Sequence, residues 1–184
     1  SHMAIKTDGT LWVWGYNTNG QLGQNSNVNY SSPVQIPGTT WNTITTDGGS
    51  CAATKTDGTA WTWGLNEYGQ LGHNQSESQL YRSSSPTQVP GTTWTNINSG
   101  NNKRYGFKTD GTMWGWGLNQ MGQIGNSAAI PGNGRTYMSS PIQIPGTTWA
   151  TGRQKLAKSR LVSLAIKTDG TLWGWGNGKD GAVG

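Results

Sequence analysis

The residues able to do acid, base or nucleophilic chemistry are few and scattered. Cys51 is the single cysteine, and His73 is the one histidine beyond His2, which falls in residues 1–3, a stretch that reads as a cloning remnant. A thiol beside an imidazole becomes a nucleophile when a third group orients the base. The sequence offers no third member, and Cys51 stands where a strand is expected to begin and a small buried side chain is wanted. One histidine and one thiol cannot build a zinc site without carboxylates. Glu67 and Glu77 are of the type that flanks a glycosidic bond, yet they lie ten residues apart in polar loop sequence that fixes neither their separation nor their burial. The glycines of the WGWG strings precede no helix that would cradle a phosphate. The chain is therefore expected to be no enzyme: no catalytic residue, no metal and no cofactor.

What would position any such residue is a repeat. The phrases AIKTDGTLWVWG (4–15), ATKTDGTAWTWG (53–64), GFKTDGTMWGWG (106–117) and AIKTDGTLWGWG (165–176) recur, with KTDGT spacings of 49, 53 and 59 residues. A period of this size means stacked supersecondary units. Each WG leads into a GQLG-type turn, at 20–23, 69–72 and 122–125, and a second block returns as SPVQIPGTTW (32–41), SPTQVPGTTW (85–94) and SPIQIPGTTW (140–149). Alternation in TLWVWG puts Trp12 and Trp14 on one strand face and Leu11 and Val13 on the other. Asp-Gly between two such runs predicts a two-residue type I′ turn, hence four β-hairpins. The proline-bounded PVQIP segments suit strand ends or edge strands, where no ladder hydrogen bond is lost. Four hairpins and three linking units, each of one PxQxP and one TTW strand, give fourteen strands in an all-β partial β-propeller of about three and a half four-stranded blades.

The K-T-D-G-T-x-W-x-W-G-x-N-x-x-G-Q-L-G string resembles the repeat of the regulator of chromosome condensation family, and is closest in flavour to bacterial and phage members such as the β-lactamase inhibitor protein II group. The resemblance runs through nearly the whole of the repeat domain, residues 4–184, and implies a propeller with blades of this length. Rings in that family usually have seven blades, from a chain about twice as long. Two copies closing one ring and a piece of a longer propeller both fit the count. Neither nucleotide exchange on a small GTPase nor β-lactamase inhibition is carried over, since loops and not repeats would determine them.

The eleven tryptophans all fall at repeat positions: Trp12, Trp14, Trp41, Trp61, Trp63, Trp94, Trp114, Trp116, Trp149, Trp173 and Trp175. With only 32% hydrophobic residues and 29 glycines, the core is expected to be these rings packed against glycine. Lysines and aspartates of KTDGT cancel, so the net charge of +5 arises elsewhere. Lys103, Arg104, Arg135, Arg153, Lys155, Lys158 and Arg160 form a basic run, interrupted by no acid outside KTDGT, that predicts one electropositive side. The run lacks the interleaved aromatics of a nucleic-acid platform, which argues against nucleic acid as a partner. Loops 24–32, 73–85 and 126–140 each carry one tyrosine near the end, Tyr30, Tyr81 and Tyr137, with Arg82 and Arg135 close by. Tyrosine among serine, glycine and asparagine is the composition of recognition loops, so equivalent loops on one rim are expected to meet a protein partner. A glycan site on the same tyrosines and a purely structural self-assembly into a homodimer or larger ring are the alternatives. No apolar run is long enough to span a bilayer as a helix, and a lone thiol fits a cytosolic or an exported chain equally.

Overall fold

The computed structural model describes residues 1–75, 77–126, 137–152 and 155–181. Fourteen strands run through them: β1 (His2–Ile5), β2 (Leu11–Gly15), β3 (Tyr30–Ile36), β4 (Trp41–Thr46), β5 (Ser50–Lys55), β6 (Ala60–Leu65), β7 (Arg82–Val89), β8 (Trp94–Gly100), β9 (Lys103–Lys108), β10 (Met113–Leu118), β11 (Tyr137–Ile144), β12 (Leu156–Lys158), β13 (Val162–Ile166) and β14 (Leu172–Gly176). Each pairs antiparallel with its sequence neighbour in one of four meander sheets, β1–β3, β4–β7, β8–β11 and β12–β14, here blades 1 to 4. No α-helix occurs among the described residues. The fold is an all-β partial propeller.

The blade boundary falls inside the linking unit. PxQxP forms the last strand of one sheet and TTW opens the first strand of the next, with PGTT crossing between them. The number of strands matches expectation but one member differs. Trp149 makes only an isolated bridge to Lys167, and β12 takes the first-strand role of blade 4. Leu156 pairs with Ala165 as Ile44 pairs with Ala53, so this unit has four more residues between its tryptophan and that pair than the blade 2 unit has.

The Asp-Gly turns are not the two-residue I′ type. Gly9 N–H donates to Lys6 O at 3.0 Å and Lys6 N–H to Thr10 O at 2.9 Å, enclosing Thr7, Asp8 and Gly9. Only the glycine takes a positive φ, 77°. This is a three-residue loop with a left-handed glycine at its end. The aspartate serves the turn through its side chain: Asp8 Oδ1 accepts from Thr10 N at 3.0 Å and Thr10 Oγ1 at 2.6 Å, and Thr10 Oγ1 accepts from Trp12 Nε1 at 2.9 Å. Those bonds to Thr10 hold the Asp8 carboxyl below its usual range. The same set recurs at Asp57, Asp110 and Asp169.

Alternation sorts the side chains as the sequence predicts, with Leu11 and Val13 fully buried. Among the tryptophans, Trp41, Trp63, Trp94, Trp116 and Trp149 are buried, while Trp12, Trp14, Trp61, Trp114 and Trp175 are half-buried. Trp173 corrects the all-core expectation, being 48% exposed, with no fourth strand beside β14 among the described residues. The KTDGT lysine caps the indoles: Lys108 Nζ lies 4.7 Å from the Trp94 ring and 4.3 Å from Trp114, an attraction between cation and ring quadrupole. Lys55 and Lys167 repeat the arrangement.

Truncating Trp63 to alanine is expected to cost roughly 3–5 kcal/mol, read as a lowered urea midpoint, whereas Trp173→Ala should cost about 1 kcal/mol or less. Equal midpoints for the two variants would contradict the burial pattern.

Candidate functional site

Blades join through a main-chain carbonyl. In N-x-x-G-Q-L-G, Asn17 Oδ1 accepts from Leu22 N at 2.8 Å and Gln21 Oε1 from Asn19 N at 2.8 Å, so the asparagine and glutamine side chains fix the turn from within. The turn then presents Gln21 O to the next blade, where it accepts from Trp63 Nε1 at 2.9 Å and Cys51 Sγ at 3.2 Å. Gln70 O accepts from Trp116 Nε1 at 3.0 Å and Arg104 Nε at 2.6 Å; Gln123 O accepts from Trp175 Nε1 at 2.9 Å and from the Tyr105 hydroxyl. The turn's last glycine lets the ring approach. A Cβ on Gly72 would sit 2.8 Å from the Trp116 Nε1 atom, and on Gly125 2.6 Å from Trp175.

Around each carbonyl an aliphatic face meets an indole face. Leu11, Val13, Leu22 and Ile36 of blade 1 pack on Trp41, Ala53 and Trp63 of blade 2. Ala52, Ala60 and Val89 meet Trp94, Ile97 and Trp116. Tyr105, Phe107, Met113 and Ile144 meet Trp149, Leu156 and Ala165. Two faces of these same kinds stay uncovered at the ends. Blade 4 ends in Leu164, Ile166 and Leu172, the last 66% exposed. Blade 1 begins with Ala4, Trp12 and Trp14, and the Trp14 indole stacks on the His2 ring with centroids 5.6 Å apart. Trp14 lines a recess of about 440 Å³ with Ser1, His2, Met3, Ile44, Thr45 and Thr46.

The residues singled out from sequence distribute unevenly. Tyr30 and Tyr137 open the outermost strands β3 and β11, both half-buried, and Tyr81 directly precedes β7, 48% exposed. The three are equivalent in blade position but lie one per blade, and no ring contact among the described residues joins them. Arg82 is exposed and reaches back to blade 1, its Nη1 donating to Thr18 O at 2.8 Å. Lys155 and Arg160 are exposed and Lys158 is half-buried, while Arg135 and Arg153 lie outside the described residues.

Lys103 and Arg104 correct the surface patch, because both are fully buried. Lys103 Nζ donates to Ser159 O and, at 3.1 Å, to Arg160 O, tying blade 3 to the β12–β13 turn of blade 4. Arg104 occupies the position of Cys51 in the repeat, and besides Gln70 O it donates to Ser99 Oγ and to Ser50 Oγ, the latter at 2.6 Å. Ser50 Oγ in turn donates to Asp47 Oδ1 at 2.7 Å, placing a counter-charge one hydroxyl away. A buried guanidinium satisfied in this way is structural. The run reads as charged surface in a linear sequence, whereas β9 sends the two side chains to opposite faces and a neighbouring blade covers each face.

Cys51 and His73 do not meet. Burial pushes the Cys51 thiol up to about 12, so it stays protonated and acts as a donor. His73 Nε2 lies 2.9 Å from Thr62 Oγ1, and burial lowers the imidazole pKa. Among the described residues no group of three or more His, Cys, Asp or Glu could hold a metal ion. No helix there is long and apolar enough to cross a membrane.

Antiparallel meanders of three or four strands joined face to face define the propeller class. Residues 8–46 and 57–102 match the family model described as the Regulator of chromosome condensation (RCC1) repeat, so the chain carries two repeats of that kind. Its fold is similar to that of the Prp20p crystal structure from Saccharomyces cerevisiae, with a TM-score of 0.80 and 20% identity over 98% of this chain and 44% of that one. A structure of Kap60 bound to yeast RCC1 (Prp20) matches at a TM-score of 0.79 and 19% identity, over 96% and 41%, and human WBSCR16 at 0.73 and 20%, over 99% and 46%. The chain thus spans less than half the length of these relatives. Comparison with curated proteins finds no match.

Burial, with repulsion from Lys158, pushes the Lys103 ammonium down from 10.5 to about 8. The folded chain therefore binds this proton more weakly than the unfolded one, so the penalty on stability is complete below about pH 8 and is relieved as pH rises toward 10.5. The relief is on the order of 3 kcal/mol. Urea midpoints of the parent chain should rise over that window more steeply than those of Lys103→Met, and parallel curves would exclude the buried ammonium as the cause.

Proposed function

We propose that this chain is a non-enzymatic recognition scaffold whose blades assemble head to tail through their terminal faces and present rim loops to a protein partner. The observation that carries the reading is the match between ends and junctions. Leu164, Ile166 and Leu172 of blade 4 are of the kind that three indole faces cover within the chain, and Trp12 and Trp14 of blade 1 are of the kind that three aliphatic faces cover. Such a contact between copies is heterologous, and it closes into a ring when the rotation per copy divides a full turn.

A protein as partner is supported at the level of family. The solved relative carries Kap60 in one structure, and the description of another names binding to Gsp1p and histones. In this chain the rim candidates are Tyr81 and Arg82, the most exposed of the predicted loop residues, with Lys155 and Arg160 supplying positive charge on blade 4. A glycan site on three clustered tyrosines has less support, since Tyr30 and Tyr137 are half-buried and each belongs to a separate blade. Nucleic acid has less still, with Lys103 and Arg104 withdrawn into the core.

Light scattering over a dilution series should give a mass at least twice 19.7 kDa, reduced to the single-chain value by either Leu172→Glu or Trp14→Ala. A folded parent chain that weighs 19.7 kDa at every concentration would refute head-to-tail assembly.

A further inference from the structure

Turns of three successive blades line a recess of about 220 Å³. Asp47 comes from the β4–β5 turn of blade 2, Asn101 and Asn102 from the β8–β9 turn of blade 3, and Arg160 from the β12–β13 turn of blade 4. Tyr68 and Gln120, in the N-x-x-G turns that follow β6 and β10, complete the polar lining. The recess thus spans the junctions of blades 2, 3 and 4 and involves neither uncovered end face.

Equivalence along the repeat separates these residues from the framework. Seven residues before each KTDGT lysine stand Gly48, Asn101 and Arg160, and eight before it stand Asp47, Gly100 and Ser159. The position of Tyr68 holds Asn19 in blade 1 and Met121 in blade 3. The same turns therefore form without a carboxylate, a guanidinium or a phenol, and folding does not explain why those groups meet here.

Asp47 commits one oxygen to its own turn. Its Oδ1 accepts from Ser50 N at 3.0 Å and Ser50 Oγ at 2.7 Å, whereas Oδ2 is buried without a hydrogen-bond partner among the described residues. A buried acceptor of that kind calls for a donor, and Arg104 reaches Asp47 only through Ser50 Oγ. Arg160 is fixed through its main chain, whose carbonyl accepts from Lys103 Nζ at 3.1 Å, while its exposed guanidinium makes no hydrogen bond with the described residues. Opposite charges line one recess without forming an ion pair. A carboxylate only accepts and a guanidinium only donates, so the molecule that satisfies both carries a cation at one end and an anion at the other.

We infer that this recess binds a small zwitterion of the amino-acid class, its ammonium on the Asp47 carboxylate and its carboxylate on the Arg160 guanidinium. Charge-assisted hydrogen bonds hold the ligand at both ends, and the Tyr68 hydroxyl with the carboxamides of Asn101, Asn102 and Gln120 surrounds it with further donors and acceptors. The volume lies below the roughly 300–1,000 Å³ of drug-sized ligand sites, which suits a molecule this small. The site goes beyond the scaffold reading, since it uses neither the faces that join copies nor the rim tyrosines.

The test is amide chemical-shift mapping of the full chain with each common L-amino acid in turn, and with γ-aminobutyrate, up to millimolar concentration. At least one of them should saturably shift amides of Asp47, Asn102 and Arg160 together. Its N-acetyl form and its carboxamide form, each missing one charge, should bind at least about tenfold more weakly. Arg160→Gln, at an exposed side chain, should cause a similar loss with the rest of the spectrum in place, and so should Asp47→Asn, which keeps an oxygen for Ser50. Binding by none of the probes, shifts confined to other residues, blocked forms that bind as well as the zwitterion, or undiminished binding to Arg160→Gln would overturn the site.

Discussion

The architecture depends on one backbone carbonyl at each junction between blades. Gln21 O, Gln70 O and Gln123 O each lie on the boundary between two sheets, in contact with an indole on one side and a tight turn on the other. A buried carbonyl without a donor costs more than the net value of a made bond, so the indole N–H is a requirement of this packing. The donor that accompanies it is free to vary: thiol at Cys51, guanidinium at Arg104, hydroxyl at Ser163. The scaffold therefore tolerates chemically distant substitutions at one strand position while holding tryptophan and glycine fixed at others.

Much of this was legible in the sequence, because the repeat displays its own periodicity. Strand alternation in TLWVWG gave the buried pair Leu11 and Val13, and the proline-bounded blocks marked the outer strands. The Asp-Gly turn was misassigned in type. A two-residue loop and a three-residue loop share the dipeptide, and they differ only in which neighbouring residues close the ladder. Lys6 and Thr10 do so here, a pairing that no composition rule reveals. The blade boundary was equally hidden, since PxQxP and TTW are adjacent in sequence and belong to different sheets.

Charge was the least legible property. Lys103 and Arg104 sit among basic residues in the sequence, and a linear count places them with Lys155 and Arg160. In space they point into two junctions, where carbonyls and hydroxyls from neighbouring blades replace the water they leave. Burial of that kind is decided by partners more than fifty residues away, such as Arg160 for Lys103, and so lies beyond any local reading. The rim tyrosines illustrate the converse. Equivalence along the repeat fixed their place in the blade, but radial geometry spreads equivalent positions apart.

The meander order of the sheets has a kinetic meaning. Every strand pairs with its immediate predecessor or successor, and the main contacts between sheets join neighbouring blades, so the chain approximates a short one-dimensional array. Energies in such arrays divide into a term for each unit and a term for each neighbour contact. Closing a hairpin of a dozen residues needs little loop entropy, which permits more than one blade to nucleate independently and the remainder to zip on. Loss of order would then proceed inward from whichever terminal unit has fewer neighbours, leaving the central pair, with both flanks covered, as the last to melt.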